Sequence, residues 1–397
     1  MSPAPERIRT DLQGKVPVAS ETILNQALVA SRLLAKCRLA MKVLNLLDLE
    51  QVAKEKLPQM AYDYFASGAW DEVTLRENRA AFERLKVFYR VLVDVSRRDL
   101  STTILGRKIS LPILFAPTAF HKLAHPDGEL ATVRAAGKAG TIMVLSSLST
   151  TSVEAVMRAA TAPVWFQLYI NKDRKFTRDL VARVEAAGCA ALMVTVDTPE
   201  WGRRERDVRN QFHLPPGLAA VNLLPSNARG KIISQSGAGM GQAFSWMLDA
   251  SVTWKDLDWL RSLTKLPVIV KGICRADDAD RSVEHGASGI VVSNHGARQM
   301  DTAPATLDVL PRCADAVAGR VPVLLDGGVR RGLDVLKALA LGATAVQIGR
   351  PVLWGLATDG QSGVETAINL LREEFDLALA LAGCANLSSI TRDLVGG

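Results

Sequence analysis

The chain has 397 residues, 48% apolar and 22% charged, the balance of a globular protein with one large core or two smaller ones. No run of about 18 apolar residues occurs, which argues against a transmembrane helix. Of the net charge of +7, more than half sits in the first 44 residues, with seven Lys/Arg against three Asp/Glu. What remains is too small and scattered for a nucleic-acid surface but suits an anionic ligand.

Residues 1–20 are polar, contain proline and are expected to be poorly ordered. Residues 21–49 have a helical pattern, with Leu24, Leu28, Leu34, Val43 and Leu47 opposite Arg32, Lys36, Arg38 and Lys42. This basic leader reads as a targeting peptide, a surface-binding helix or an extra helix packed on the domain. Residues 1–44 are taken as an N-terminal extension and 45–397 as one domain. A separate helical unit spans 50–75. Its Tyr62 and Tyr64, two apart, cannot share a helix face, so one is expected to pack and the other to point elsewhere. The five cysteines, at 37, 189, 274, 313 and 384, form no Cys-x-x-Cys pair; this points to a reducing compartment and against structural zinc.

Short apolar runs then alternate with amphipathic stretches. Strands are expected at 111–116, 142–146, 164–169, 191–196, 267–271, 290–292, 321–326 and 343–349, with helices such as 128–139, 153–160, 177–187 and 332–340 between them. Eight such units predict an α/β fold, a (β/α)8 TIM barrel. The competing doubly wound sheet lacks a Gly-x-Gly-x-x-Gly after its first strand. Residues 205–255 are too long for an ordinary loop. Their Gly237-Ala-Gly-Met-Gly241 has the wrong spacing for a nucleotide loop, and the span reads as a mobile lid insertion between strands four and five.

In a barrel, chemistry sits at the C-terminal ends of the strands. Those ends carry Pro117-Thr118-Ala119, Ser146-Ser147, Gln167 with Tyr169, Thr195-Val-Asp197 followed by Arg203 and Arg204, Lys271, then Ser293, His295 and Arg298, Asp326-Gly-Gly-Val-Arg330, and Gly349-Arg350. Gly289-Ile-Val-Val followed at once by Ser-Asn-His-Gly-Ala-Arg-Gln is the richest of these: a buried strand that ends in an imidazole and a guanidinium. Gly327, Gly328 and Gly349 with Arg330 and Arg350, after strands seven and eight, suit a phosphorylated ligand. Lys271 alone reads equally as a Schiff-base lysine of an aldolase or as a stabiliser of negative charge on a bound ring.

Ser293-Asn-His-Gly-Ala-Arg-Gln299, Thr195-Val-Asp-Thr-Pro199 with Gly202-Arg-Arg-Glu205, Asp326-Gly-Gly-Val-Arg-Arg331 and Tyr62-Asp-Tyr-Phe-Ala-Ser-Gly68 resemble the motifs of the FMN-dependent L-2-hydroxy acid oxidases, which include glycolate oxidase and L-lactate oxidase. The resemblance covers about residues 45–395 in one register. It implies FMN as cofactor, a glycolate- or lactate-like substrate, O2 as acceptor with release of H2O2, and a homotetramer or octamer. His295 would be the base and Asp197 its partner. Arg204, Arg298 and Tyr64 would hold the substrate carboxylate, and Tyr169 would touch its hydroxyl. Lys271 would stabilise charge at the flavin N1/O2 edge. Pro117, Thr118, Ala119, Ser146, Gln167, Thr195 and Ser293 would contact flavin and ribityl, while Asp326, Gly327, Gly328, Val329, Arg330, Gly349 and Arg350 would complete the ribityl and phosphate site. No metal is implied.

Leu148 stands where plant-type glycolate oxidases carry Trp, Trp201 where Leu is usual, and Phe120 where Met is common; Leu148 would make room for a methyl group. A same-fold dehydrogenase feeding a quinone or cytochrome is the alternative acceptor reading. A non-catalytic flavin-binding protein is disfavoured by the intact Tyr64, Tyr169, Arg204, His295 and Arg298. The chain ends Leu-Val-Gly-Gly, without the peroxisomal Ser-Lys-Leu, which leaves the compartment open.

Overall fold

The computed structural model describes residues 43–223 and 248–397. Apart from Val43 and Leu44, these belong to one compact unit, Asn45–Gly397. The expected leader up to residue 42 and the Gly237–241 motif lie outside the described residues.

The chain enters through three helices, α1 (Leu46–Lys56), α2 (Gln59–Ala66) and α3 (Val73–Arg84). The helix boundary expected near residue 50 lies instead at Asn45, because its side chain accepts the backbone N–H groups of Leu47 and Asp48. The expected single unit at 50–75 is in fact broken. Leu57, before a proline, is extended and ends α1. α3, which begins inside that unit and runs nine residues beyond it, was not legible from periodicity. Tyr62 and Tyr64 do point apart, yet both pack. Tyr62 stacks on Trp354 with ring centres 5.4 Å apart, and Tyr64 on Phe212 at 4.2 Å, so the short α2 is covered on two sides.

Eight parallel strands then close into a barrel: β1 (Ile113–Phe115), β2 (Met143–Ser146), β3 (Val164–Leu168), β4 (Ala191–Thr195), β5 (Val268–Ile273), β6 (Gly289–Val292), β7 (Val323–Leu325) and β8 (Ala345–Ile348). β8 closes the ring on β1, with Val346 beside Ile113 and Ile348 beside Phe115. The expected (β/α)8 barrel is the fold. Most strands are trimmed at their ends, where the apolar run outlasts the ladder. β5 instead continues to Ile273 across a register shift at Lys271/Ile273. Between strands, helices Gly128–Ala139 and Gly332–Ala340 match their expected bounds. Arg174–Ala186 starts three residues early because Asp173 caps Lys175 and Phe176. A long final helix, Arg350–Ala382, kinks at Asp359–Gly360.

One layer of inward side chains fills the barrel: Leu114, Val144, Trp165, Met193, Ile269, Val291, Leu324 and Ala345 from the eight strands in turn. The antiparallel ribbon of Thr102–Ile104 and Arg107–Ile109 packs Ile104 and Ile109 onto it. Burying each large aliphatic member contributes about 1.5–3 kcal/mol.

The insertion expected over 205–255 does separate β4 from β5, and its described parts are packed. Glu205–Arg209 is helical, Phe212 and Leu214 are buried, Leu248 bridges to Asn171, and Trp254–Ser262 is a barrel helix capped by Thr253 and Asp256. Asn222 Oδ1 accepts Val153 N at 2.9 Å and ties this stretch to a barrel helix. Residues 224–247 lie outside the described part. Among the described residues, no helix is long and apolar enough to cross a membrane.

Candidate active site

A strand alternates its faces every residue, so the residue two beyond each core position also points inward. From the core layer this step leads to Ala116, Ser146, Gln167, Thr195, Lys271, Ser293, Asp326 and Gln347. All but Ser293 line a cavity at the C-terminal rim, where a barrel places its ligand site. The loops that follow the strands supply the walls, among them Tyr169, Arg204, His295, Arg298, Arg330 and Arg350.

At one side His295 Nδ1 lies 2.7 Å from Asp197 Oδ1, with Thr198 Oγ1 donating to the same carboxylate oxygen at 3.0 Å. An Nδ1–H given to Asp197 leaves Nε2 as the acceptor. Burial lowers the imidazole pKa below its ordinary value, although Asp197 works to raise it. Burial alone would raise the Asp197 carboxyl, but His295, Lys271 and Thr198 together hold it low. Asp197 itself lies behind the histidine and does not line the cavity. It comes this close because of Gly272, at φ +113, where a Cβ would stand 2.6 Å from the Asp197 Cβ.

Tyr64 is sandwiched between Phe212 and the Arg298 guanidinium, 5.0 Å from its ring centre. Arg204 lies 4.4 Å over the Trp201 ring and is buried, which brings its pKa down to about 10. Gln299 joins these loops: its Oε1 accepts Gly202 N and Arg204 Nη2, and its Nε2 donates to Glu200 O at 2.8 Å. Asp207 is buried with both carboxylate oxygens lacking a hydrogen bond among the described residues, and burial raises its pKa despite Arg298 and Arg204.

On the floor, Lys271 Nζ donates to Ser293 Oγ at 2.8 Å and pairs with Asp326 Oδ2 at 3.1 Å. Burial would lower its pKa, but Asp326 and Asp197 raise it. A lysine held as ammonium is a poor Schiff-base nucleophile, so the aldolase alternative loses its basis. Ser293, expected against the cofactor, accepts from Lys271 and from His295 N.

On the far side, Gly327, Gly328 and Val329 lie beside Arg330 and Arg350. Arg350 does not extend freely into the cavity. It donates to Phe65 O, Ser67 O and Gly296 O at 2.9–3.0 Å. Arg298 likewise donates to Tyr64 O and Ser67 O. Apart from Gly296 O, these carbonyls end α2, where a helix leaves acceptors unpaired and its dipole is negative. Burial, with Arg298 and Arg330 nearby, lowers the Arg350 pKa to about 9. The cavity therefore concentrates five cations, and desolvated positive charge of this kind calls for anionic ligands.

Residues 53–396 match the family model described as FMN-dependent dehydrogenase. The chain belongs to that family. It is 53% identical to glycolate oxidase 3 of Arabidopsis thaliana, covering 89% of this chain and 95% of that protein. It is 55% identical to an L-lactate oxidase of Nostoc sp., covering 87% and 96%. The structure of mandelate oxidase with (S)-4-hydroxymandelic acid superposes with a TM-score of 0.84 at 42% identity, covering 89% and 98%.

FMN is the cofactor, and the cavity fits it. The Asp326 Oδ1 and Gln347 Oε1 atoms are buried without hydrogen-bond partners among the described residues, as acceptors facing ribityl hydroxyls or a flavin N–H would be. Gly328, Arg330 and Arg350 could hold the phosphate. The sequence pattern missed Thr198, Gln347 and the α2 carbonyls. Gln347 was reachable by stepping two residues along β8, whereas nothing local marks backbone carbonyls as ligands of arginines.

Gly328 has φ +92, and a Cβ there would lie 2.1 Å from Asn78 O. Gly328→Ala should therefore weaken FMN binding roughly ten- to hundredfold, measured as the loss of flavin fluorescence when apoprotein is titrated into FMN.

Proposed function

We propose that the chain oxidises a short-chain L-2-hydroxy acid, glycolate or L-lactate, to the 2-keto acid and passes the electrons to O2, giving H2O2. The observation that carries this reading is the His295–Asp197 pair set beside Arg204 and Arg298 in the FMN cavity. FMN supplies the two-electron acceptor and its reoxidation by O2. The names of the glycolate and L-lactate oxidases it matches support the oxidase over a dehydrogenase that feeds a quinone or cytochrome.

Arg204 and Arg298 hold the substrate carboxylate with charge-assisted hydrogen bonds. Both guanidiniums are already braced, one by Trp201 and Gln299 and the other by Tyr64, so little side-chain freedom is lost on binding. Tyr169 stays protonated, since burial raises its phenol pKa, and it donates to the substrate hydroxyl. His295 Nε2 takes the proton, and Asp197 stabilises the imidazolium that forms. Lys271 keeps its charge on the floor and favours negative charge above it. Leu148, buried in the wall, leaves space for the methyl group of lactate. A homo-oligomer belongs to the same reading, supported by resemblance alone.

Four measurements test it. Anaerobic addition of glycolate or L-lactate should bleach the yellow protein, and mixing with O2 should restore the colour within the turnover time; slow reoxidation would favour the dehydrogenase. His295→Ala should stay yellow while losing about 10²–10⁴-fold or more in kcat. In the parent, log kcat/KM should be level above the ordinary imidazole value and fall only as pH drops below about 6.5, because burial lowers the base. Asp197→Asn removes the charge that raises it, so the acid limb should move to still lower pH while kcat falls. Leu148→Trp should cut the lactate-to-glycolate ratio of kcat/KM by about tenfold or more; an unchanged ratio would remove Leu148 from substrate choice.

A further inference from the structure

Helix α3 contributes no residue to the cavity, yet it is bonded to both loops that matter most there. At its start, Asp301, which ends the His295 loop, accepts Val73 N at 3.2 Å and Thr74 N at 2.8 Å. In its middle, Asn78 and Asn294 exchange two side-chain hydrogen bonds, at 3.0 and 2.8 Å, both buried. Asn294 Oδ1 also accepts Ala297 N at 3.1 Å and so closes the turn through His295, Gly296 and Ala297. Those three residues have φ of 57°, 60° and 65°, and two of them carry a Cβ. Such a turn persists only where its surroundings over-determine it.

Successive helix residues point about 100° apart, so the next residue reaches a different loop. Arg79 Nη1 donates to Gly328 O and pairs with Asp334 Oδ2 at 2.6 Å. The same Oδ2 accepts Arg330 N at 2.8 Å and Arg331 N at 2.9 Å. Asn78 O stands against Gly328, where a Cβ would meet it at 2.1 Å.

We infer that Asn78 and Arg79 are paired positioning residues: they fasten the turn that carries His295 and the glycine loop that carries Arg330 to one rigid helix, so that order at the FMN site and placement of His295 are coupled. The FMN half stands on family membership, and the second half rests on the proposed role of His295.

The test uses Arg79→Gln, Arg79→Lys and Asn78→Ser in the full chain. A hydrogen bond to a charged group is worth enough that its loss should raise the FMN Kd of Arg79→Gln about 10–100-fold, read from flavin fluorescence, with Arg79→Lys in between. At saturating FMN, Arg79→Gln should also lower kcat and move the acid limb of the pH profile while KM for the hydroxy acid stays near the parent value. Asn78→Ser, on the histidine side, should weaken FMN binding as well. The double change Asn78→Ser/Arg79→Lys should be non-additive in Kd, since each residue acts through the same helix. If Arg79→Gln does not fold, Arg79→Lys carries the same readouts. A parent-like FMN Kd in the Arg79 variants, a kcat and pH limb that do not move once FMN saturates, or strictly additive Kd changes would each overturn the coupling. If His295→Ala turned over like the parent, the catalytic reading would fall while the Kd cycle still decided whether the loops are joined.

Discussion

Positive charge taken out of water is the condition that the rest of this structure has to satisfy. Lys271, Arg204, Arg298, Arg330 and Arg350 share one cavity, and burial pushes Arg204 and Arg350 well below the usual guanidinium range. Such a cluster is tolerable only where each cation has acceptors. Asp326 serves Lys271, and the unpaired carbonyls at the end of α2 serve Arg298 and Arg350. The helices ahead of the barrel are thus part of the site: their last turn supplies the negative dipole end that lets two guanidiniums stand beside each other.

The same balance sorts the cavity into two chemical ends. Near His295, one carboxylate faces one imidazole, and burial lowers that imidazole's pKa. Near Gly328 the backbone is open and cationic, suited to a phosphate that stays bound. Lys271 lies between, hydrogen-bonded to Ser293, which in turn accepts from the His295 backbone. Ser293, the first residue of the motif that carries His295, therefore joins the two ends from beneath.

Much of this was readable in the chain. Short β-branched runs alternating with amphipathic stretches specify strands buried on both faces with helices outside, and eight of them admit one closed arrangement. Since the faces alternate, polar residues at strand ends had to share one rim, and Gln167, Thr195, Lys271 and Asp326 do. Two features escaped. α3 lies past a left-handed Glu72 and takes its N-terminal partner from Asp301, far along the sequence, so no local capping signal announces it. The packing of the stretch from 205 was the other, because its order comes from Phe212 under Tyr64 and from Asn222 bonded to a barrel helix, both contacts with distant residues.

Composition and periodicity by themselves settle the barrel, the rim and the identity of the groups that meet there, because period-two and period-3.6 patterns are local properties of a chain. Which groups face the ligand and which stand behind it was decided only in three dimensions. Asp197 stands behind His295, Ser293 turns under it, and Arg350 leans on carbonyls that no motif encodes. Those choices depend on hydrogen-bond partners contributed by segments up to about three hundred residues away, such as Phe65 O for Arg350, and a distance of that kind exists only once the barrel has closed.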